Sequence, residues 1–234
     1  MNLLGKNLKE LEELCETNNF PKFHGMQLFR WFYNKSNLNI GSMSNIPEKL
    51  KAIIQNNYRT NSLKVEKKLS SNEDDTIKYL FKTIDSKLIE SVSMIENSRH
   101  TICISSQIGC SVDCSFCATG KMGIIRNLDA GEIIEQIIII SKDIKIPITN
   151  IVFMGMGEPF LNYNNVITAC DILNNPSGFN LSSKRITIST SGILPKIEKY
   201  ISEKHKYKLA ISLNASNNKV RNQLIPINKK WPIE

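Results

Sequence analysis

The sequence contains little of what zinc-finger, secreted and membrane proteins rely on. It has three histidines, at His24, His100 and His205, and none lies at zinc-finger spacing from a cysteine cluster. It has no recognisable secretory signal, which disfavours a disulfide framework for its six cysteines. Its longest aliphatic run, Ile137 to Ile140, is far below the roughly 18 apolar residues of a membrane span. We therefore expect a cytoplasmic protein without a membrane segment.

The composition is that of a globular chain with a basic surplus. The 234 residues are 41% hydrophobic and 22% charged, which is enough apolar material for a sizeable core. The formal net charge is +8, and residues 1–68 carry eleven basic and six acidic side chains. This surplus is compatible with a polyanionic partner such as RNA, and equally with a lysine-rich solvated surface.

The periodicity of apolar residues divides the chain into three predicted domains. Residues 1–62 form a small helical accessory domain, because leucines recur at helical spacing from Leu8 to Leu14 and again from Leu28. Its basic surplus makes it the predicted RNA-binding domain. Residues 63–98 alternate between apolar and polar side chains, which predicts an antiparallel strand extension. Residues 99–234 alternate strands with helices four times, which predicts a parallel sheet with crossover helices.

Three cysteines in one loop are the main candidates for metal ligands. Cys110, Cys114 and Cys117 have the spacing C-x3-C-x2-C and follow a strand-like segment. Three thiolates are one fewer than iron–sulfur clusters and closed zinc sites usually take. A four-iron cluster held in this way would leave one iron free to bind a small molecule. The spacing favours such a cluster over a zinc site or unrelated thiols.

Each predicted parallel strand is followed at once by an unusual short motif. The cysteine loop follows the first strand, Gly155-Met156-Gly157-Glu158-Pro159 the second, Thr190-Ser191-Gly192 the third and Asn214-Ala215-Ser216 the fourth. In a βα-barrel these loops emerge on one face, where such enzymes place their active sites. The glycines would let a ligand approach the backbone, and Glu158 could accept a hydrogen bond from an ammonium group. This combination suits a ligand that is both amino acid and nucleoside.

Two further residues are candidates because of their strand positions. Glu90 falls on the same face as Leu88 and Val92, which predicts a carboxylate on an apolar face where loss of water would raise its pKa. The alternative is an edge strand with Glu90 in water. Cys103 is a lone thiol that could point into the barrel mouth, or could simply be a core cysteine. Cys15 and Cys170 have no motif around them and are assigned to packing.

The motifs CSVDCSFCATG, GMGEP, TISTSG, LAISLNA and PINKKWPIE together resemble the radical S-adenosylmethionine superfamily. Within it they resemble the RlmN family of adenine-C2 RNA methyltransferases, and less closely the related Cfr enzymes. The resemblance covers essentially the whole chain. It implies an α/β fold with a partial (βα)6 radical SAM barrel, of which four βα units are present, besides the small helical domain and the β extension.

The resemblance also implies cofactors, partners and residue roles. The cofactors are a 4Fe–4S cluster and S-adenosyl-L-methionine, and the partners are 23S rRNA, tRNA and an electron donor such as flavodoxin. Cys110, Cys114 and Cys117 would hold the cluster, Glu90 would accept a proton, and Cys103 would help to resolve a covalent intermediate. The S-adenosylmethionine site would be lined by Gly157, Glu158, Ser189, Ser212, Leu213 and Asn214.

The chain departs from the family pattern at its C-terminal end. The family transfers the methyl group by a ping-pong mechanism through a methylated cysteine, and no residue here matches that late cysteine. We therefore expect a truncated member that transfers no methyl group by itself. Two alternatives remain at this stage: a radical SAM enzyme acting on a peptide or small metabolite, and a non-catalytic, zinc-stabilised RNA-binding protein. The sequence does not distinguish rRNA from tRNA, and it gives no oligomeric state.

Overall fold

The structure is a computed structural model that describes residues 2–234, so Met1 of the predicted 1–62 domain lies outside it. The first part is helical, with α1 (Leu8–Thr17), α2 (Phe23–Tyr33), a 3₁₀ turn (Ile40–Ser42) and α3 (Glu48–Asn57). Asn7 caps the N-terminus of α1: its side chain accepts from the backbone N–H of Glu10, and the Glu10 side chain accepts from the backbone N–H of Asn7. This reciprocal cap satisfies two N–H groups that the first turn would otherwise leave unpaired.

The alternating segment forms strands β1 (Leu63–Ser70), β2 (Ile77–Thr83) and β3 (Leu88–Glu96). They pair antiparallel in sequence order, and β3 then pairs antiparallel with β4 (Arg99–Cys103). The extension therefore continues directly into the sheet that carries the cysteine loop, and β3 lies inside this sheet rather than at its edge.

Four strands form the parallel part of the sheet. They are β4, β7 (Asn150–Phe153), β8 (Ile186–Thr190) and β9 (Lys208–Ile211), adjacent in that order. The crossovers between them contain α5 (Ala130–Ile144), α6 (Tyr163–Asn174) and α7 (Leu194–Ser202), and α8 (Asn218–Leu224) follows β9. The predicted alternation of strands and helices is present, and together with β1–β3 it gives a seven-stranded sheet.

A small hairpin surrounds the cysteine loop, and periodicity did not predict it. Strand β5 (Gln107–Gly109) precedes the loop, and the short helix α4 (Ala118–Lys121) and strand β6 (Ile124–Asn127) follow it. Strands β5 and β6 pair antiparallel as a separate two-stranded sheet. Gly109 has φ 76°, and a Cβ there would lie 1.8 Å from the carbonyl oxygen of Gly123. Glycine is therefore required where the two strands meet.

The two faces of the main sheet differ in burial. Ile102, Ile151, Phe153 and Ile188 point to the face covered by helices and are at most 1% exposed. Side chains of the opposite face, which we call the open face, are only partly buried. Its cross-strand rows include Val92, Cys103, Val152 and Thr187 in one row, with Glu90 and Ser189 on the side of the cysteine loop.

The helical part shares one hydrophobic core with the barrel helices. Tyr33 of α2 is fully buried; its hydroxyl donates to the Lys6 carbonyl (2.9 Å) and accepts from the Gly5 N–H (2.9 Å). Cys15 and Cys170 are also fully buried in this core, so their assignment to packing is confirmed. None of the helices formed by residues 2–234 has the length and apolarity that crossing a membrane requires.

Candidate active site

The three loop cysteines face one cavity at the C-terminal ends of the parallel strands. The cavity has a volume of about 310 Å³, and Cys110, Cys114 and Cys117 line it as free thiols. Two backbone hydrogen bonds shape the loop, from Cys110 N to Gly123 O (3.0 Å) and from Cys117 N to Cys114 O (3.0 Å). The hairpin therefore holds the loop against the strand ends.

The predicted cofactor residues gather around the same cavity. Gly157, Glu158, Ser189, Ser212 and Asn214 line it together with the cysteines. Leu213, the sixth of the predicted set, does not line it and is 47% exposed, although its backbone lies between two lining residues. Ser189 and Ser212 are hydrogen-bonded to each other across β8 and the end of β9 (3.1 Å). Motifs far apart in sequence thus converge at one place, as strand-end loops should.

Glu158 is a buried carboxylate that connects the loops after β7 and β8. It is 4% exposed; Oε1 accepts from Phe160 N (3.0 Å), and Oε2 accepts from both the backbone N–H and the hydroxyl of Ser191 (2.8 Å each). A carboxylate has about four acceptor positions. Three are used here, so Glu158 keeps acceptor capacity for a ligand ammonium group.

Gly157 of the GMGEP motif is required by a close approach to β5. Gly157 has φ 100°, and a Cβ there would lie 2.5 Å from the Cβ of Gln107. Gln107 Oε1 accepts from Glu158 N (2.7 Å), so this close approach also fixes the neighbouring carboxylate. Gly157 also lines the cavity, so the approach of a ligand to its backbone stays a prediction.

The donor set fits a multi-iron cluster better than one metal ion. Within residues 2–234, no three His, Cys, Asp or Glu side chains come close enough together to hold a single ion. A cluster spreads its ligands over several irons and therefore holds its thiolates further apart than one ion does. Three thiols around a cavity of this size, with polar strand ends opposite, fit a cluster with one open iron.

The thiols must lose protons to bind metal. Burial raises the pKa of Cys114 to about 11, and it also raises the pKa of Cys110 above its ordinary value. The nearby Glu158 carboxylate acts in the same direction on both. A bound cluster would therefore have to displace these protons.

Arg221 is a buried residue of the site that the sequence did not reveal. It is 3% exposed and donates to the carbonyl oxygens of Ser191 (2.6 Å), Leu213 (3.0 Å) and Ser212 (3.2 Å), and to Asn228 Oδ1. No carboxylate of residues 2–234 forms an ion pair with it. Burial lowers the pKa of its guanidinium, and the neighbouring Cys114 acts against this shift. The side chain thus fixes the strand ends that line the cavity and places a positive charge near the thiols.

The PINKKWPIE segment supports this arginine and the cysteine loop. Asn228 is 1% exposed and donates to Asn218 Oδ1 (2.8 Å) and Asn222 Oδ1 (2.7 Å), which aims its oxygen at Arg221. Ile225, directly before this segment, is fully buried and packs with Cys110 and Val112, and Ile227 of the segment packs against them. The motif could have suggested a structural role, but no spacing rule connects it to an arginine seven residues earlier.

Glu90 and Cys103 lie on the open face of the sheet, beside the cavity rather than in it. Val92 pairs with Cys103 across β3 and β4, so Glu90 and Cys103 are diagonal neighbours on one face. Burial raises the pKa of Cys103 to about 11, which keeps it a thiol at neutral pH.

The expected burial of Glu90 is not observed, although Leu80, Leu88 and Val92 lie on its face. Its side chain is 42% exposed and pairs with Lys78 Nζ (2.7 Å), whereas Ile89, Ser91 and Ser93 of the opposite face are at most 1% exposed. Loss of water around Glu90 therefore does not follow from its position. The helix-covered face of β3 contains two serines, and their burial could not be read from alternation alone.

Comparisons with known proteins agree with this architecture. Residues 104–233 match the model of the Radical SAM superfamily, and residues 1–59 match the ribosomal RNA large subunit methyltransferase N-terminal domain. A radical SAM methyltransferase from Sphaerobacter thermophilus, known from a crystal structure, superposes with a TM-score of 0.94 at 39% identity, covering 100% of this chain and 69% of the other. The prediction of a mixed α/β radical SAM fold is therefore confirmed.

Curated relatives give the same result at the sequence level. A probable dual-specificity RNA methyltransferase RlmN from Dictyoglomus thermophilum is 43% identical over 236 residues, covering 100% of this chain and 67% of the relative. Its counterpart from Clostridium novyi is 41% identical over 233 residues, covering 100% and 68%. The chain thus spans about two thirds of the length of these relatives. The cysteine loop, the converging strand ends and both family models agree. The chain therefore belongs to the RlmN family of radical S-adenosylmethionine RNA methyltransferases.

Proposed function

We propose that this chain is the cluster- and cofactor-binding part of an enzyme that methylates C2 of adenine in 23S rRNA and in tRNA. The observation that carries the proposal is the convergence of three free thiols and the polar strand ends on one cavity. The names of the relatives, which are dual-specificity RNA methyltransferases, support RNA as the substrate.

Cys110, Cys114 and Cys117 would hold a 4Fe–4S cluster with one iron open to S-adenosylmethionine. When bound and reduced by an electron donor such as a flavodoxin, the cluster supplies the electron that cleaves the sulfonium bond. The chain's own contribution is a cavity closed on one side by Ile225 and Val112, which limits the access of water to the thiols.

The strand ends would bind and orient S-adenosylmethionine. Glu158 keeps an acceptor position for the methionine ammonium group, and Ser189, Ser212 and Asn214 offer neutral hydrogen-bonding groups to the rest of the ligand. Gly157 and the backbone at Leu213 shape the same site. Arg221 keeps the β8 and β9 ends at a fixed separation through its bonds to three carbonyl oxygens.

Glu90 and Cys103 would act on the RNA base from the adjoining open face. Glu90 is half-exposed and held by Lys78, so its carboxylate is accessible as a proton acceptor for the adenine. Cys103 would contribute to resolving the covalent intermediate, and its raised pKa means that it would enter the reaction as a thiol.

Lysines on the open face of the strand extension fit a polyanionic substrate. Lys64 of β1 pairs with Lys82 of β2. Lys67 of β1 pairs with Leu80, which in turn pairs with Glu90. Lys78 of β2 pairs with Val92, which in turn pairs with Cys103. These four side chains thus share a sheet face with the proposed catalytic pair. They would attract RNA phosphates beside the position of the target base.

Anaerobic reconstitution tests the proposal. The wild-type chain should hold about four irons and four sulfides and, when reduced, should convert S-adenosylmethionine to deoxyadenosine and methionine. Cys114→Ser should lose most of the iron and the cleavage activity, because two thiolates cannot replace three. Ser111→Ala is the matched control, since it changes an exposed side chain of the same loop and removes no ligand. One zinc per chain without sulfide, or cleavage unaffected in Cys114→Ser, would contradict the proposal.

A further inference from the structure

Four cationic side chains meet at the end of the parallel sheet opposite to the cysteine loop. Arg99 begins β4, Lys184 and Arg185 directly precede β8, and Lys208 begins β9. Together they line a cavity of about 350 Å³ that also includes Thr149 and Asn150 at the start of β7. The strand order brings these residues together, because β4, β7, β8 and β9 are consecutive neighbours.

The four charges have no carboxylate to balance them. None of the four takes part in an ion pair with a carboxylate of residues 2–234, and the cavity lining contains no acidic residue. The nearest acidic position by strand register is Glu96, which pairs with Arg99 across the β3–β4 hairpin without forming a salt bridge. Uncompensated like charges repel one another, so an anion at this place would be bound favourably.

Neutral groups add hydrogen-bonding capacity to the cavity. Asn150 Oδ1 accepts from Thr149 Oγ1 (2.9 Å), and within residues 2–234 its amide nitrogen donates to no other protein group. Arg99 uses one donor on Thr101 Oγ1 (3.2 Å), which leaves the rest of its planar fork free. Arginine forks, lysine ammonium groups and an amide N–H are the donors that bind phosphate oxygens.

We propose that this cavity binds phosphate groups of the RNA backbone, at a second site on the face where the reaction takes place. Lys208 lies in one cross-strand row with Thr187, Val152 and Cys103, so the cavity opens onto the open face. Three strand spacings separate Lys208 from Cys103, about 14 Å. A few nucleotides of RNA span this distance, so one RNA molecule can reach both places. This inference rests on the proposed function, because it takes RNA as the substrate.

Binding of a fluorescent RNA stem–loop to the 234-residue chain, measured by anisotropy over a range of salt concentrations, tests the site. The variant Lys184→Gln/Lys208→Gln removes two charges, and neither side chain makes a hydrogen bond within the described chain that the change would break. The control, Lys199→Gln/Lys219→Gln, removes two charges from solvent-accessible side chains of α7 and α8, outside the helical domain and outside the cavity. Circular dichroism checks that both variants are folded.

We expect the site variant to bind RNA about tenfold more weakly than the control at low salt, with a salt slope smaller by about one per lysine. Equal affinity and slope in the two variants would overturn the inference. Should the double variant be unfolded, Lys208→Gln alone decides the question, with about half of the change in slope expected.

Inorganic phosphate separates an RNA site from a small-anion site. Weak competition of phosphate with RNA in the wild type, absent in the site variant, supports phosphate recognition at this cavity. Saturable phosphate binding that the site variant loses, combined with unchanged RNA affinity, assigns the cavity to a free anion and overturns the inference. RNA binding is measured without cofactor turnover. A chain that cleaves no S-adenosylmethionine would therefore refute the proposed function, while the RNA affinities of the site variant and the control could still be compared.

Discussion

At the scale of single residues, the buried guanidinium of Arg221 is the group on which the cavity wall most depends. Its donors reach Ser191 at the end of β8, and Ser212 and Leu213 at the end of β9. Without Arg221, each of these carbonyl oxygens would lose a hydrogen-bond donor next to the cavity. An unsatisfied buried carbonyl is costly, so the arginine converts two separate strand ends into one rigid wall.

Arg221→Lys should reduce both stability and cofactor affinity. Lysine keeps the charge but lacks the planar fork, so at least one carbonyl loses its donor and the free energy of unfolding falls by about 2 kcal/mol. Thermal unfolding and S-adenosylmethionine binding to the reconstituted chain measure the two effects. Arg30→Lys, an exposed change in α2, is the control and should shift neither. If Arg221→Lys behaves like this control, Arg221 is not what fixes the strand ends.

Some residues of the candidate site could be predicted from the sequence, and others could not, for physical reasons. Closely spaced cysteines and glycine-rich strand ends have spacings that predict their chemistry, so Cys110 and Glu158 could be placed in advance. Arg221 is a single cation in an ordinary helix, and its partners are backbone carbonyls, which have no sequence pattern. Alternation placed Glu90 and Val92 on one face correctly, but alternation does not say which face the helices cover.

At the scale of elements, helix α5 connects all the parts around the site. Gln136 accepts from Ser91 Oγ (2.6 Å) and Ser105 N (2.9 Å) and donates to Ser105 O (3.0 Å), which fixes the chain just before the cysteine loop. One residue earlier, Glu135 accepts from Ser62 N (2.7 Å), at the junction of the helical part and β1. The same helix thus holds the loop on one side and the connection to the helical part on the other.

The buried Glu135 should make stability depend on pH. It is 1% exposed, and burial raises its pKa to about 7, with Glu132 and Asp129 acting in the same direction. Arg59 and Lys142 line the adjacent cavity, but neither forms an ion pair with it among the described residues. A carboxyl whose pKa is raised on folding contributes its stability below its unfolded pKa and loses it as the pH rises through the folded value. The loss should therefore occur between about pH 4.5 and 7.

Glu135→Gln isolates this contribution. Relative to wild type, the variant should gain about 3 kcal/mol in free energy of unfolding between pH 4.5 and pH 8, since its amide does not ionise. Denaturant unfolding at several pH values provides the measurement. Glu198→Gln, an exposed change in α7, should leave the pH dependence of wild type unaltered. Parallel curves for Glu135→Gln and wild type would show that Glu135 is not the group responsible.

Elements long enough to show a repeat of apolar residues could be predicted. Elements held together by close contact of their backbones could not. The antiparallel strands predicted in residues 63–98 and the four strand–helix units predicted in residues 99–234 are present, because their buried side chains recur with period 2 or 3.6. Strand β5 has three residues and β6 has four, too few to show a period. Their pairing depends on the contact of Gly109 with Gly123, which involves no side chain.

At the scale of the whole molecule, the open face carries two groups of cationic side chains. The lysines Lys64, Lys67, Lys78 and Lys82 lie at one side of the sheet, and the four-cation cavity lies at the other. Cys103 lies between them in the order of the strands. Eight cationic side chains therefore lie along the path that an RNA chain across this face would follow.

The 234 residues contain the groups proposed for radical generation, but no residue that matches the methyl-carrying cysteine. The groups proposed for cofactor cleavage are all within the 234 residues, whereas the sequence contains no cysteine after Cys170, and Cys170 is fully buried in the helical core. The resemblance to the family implies that a later cysteine carries the methyl group to the base. We therefore expect the 234-residue chain to cleave S-adenosylmethionine under reduction while forming no 2-methyladenosine in 23S rRNA or tRNA. Mass spectrometry of the digested RNA provides the measurement, with the Dictyoglomus thermophilum relative assayed on the same RNA as the positive control. Methylation by the 234-residue chain at a level comparable to that control would mean that another residue, with Cys103 as the first candidate, can carry the methyl group.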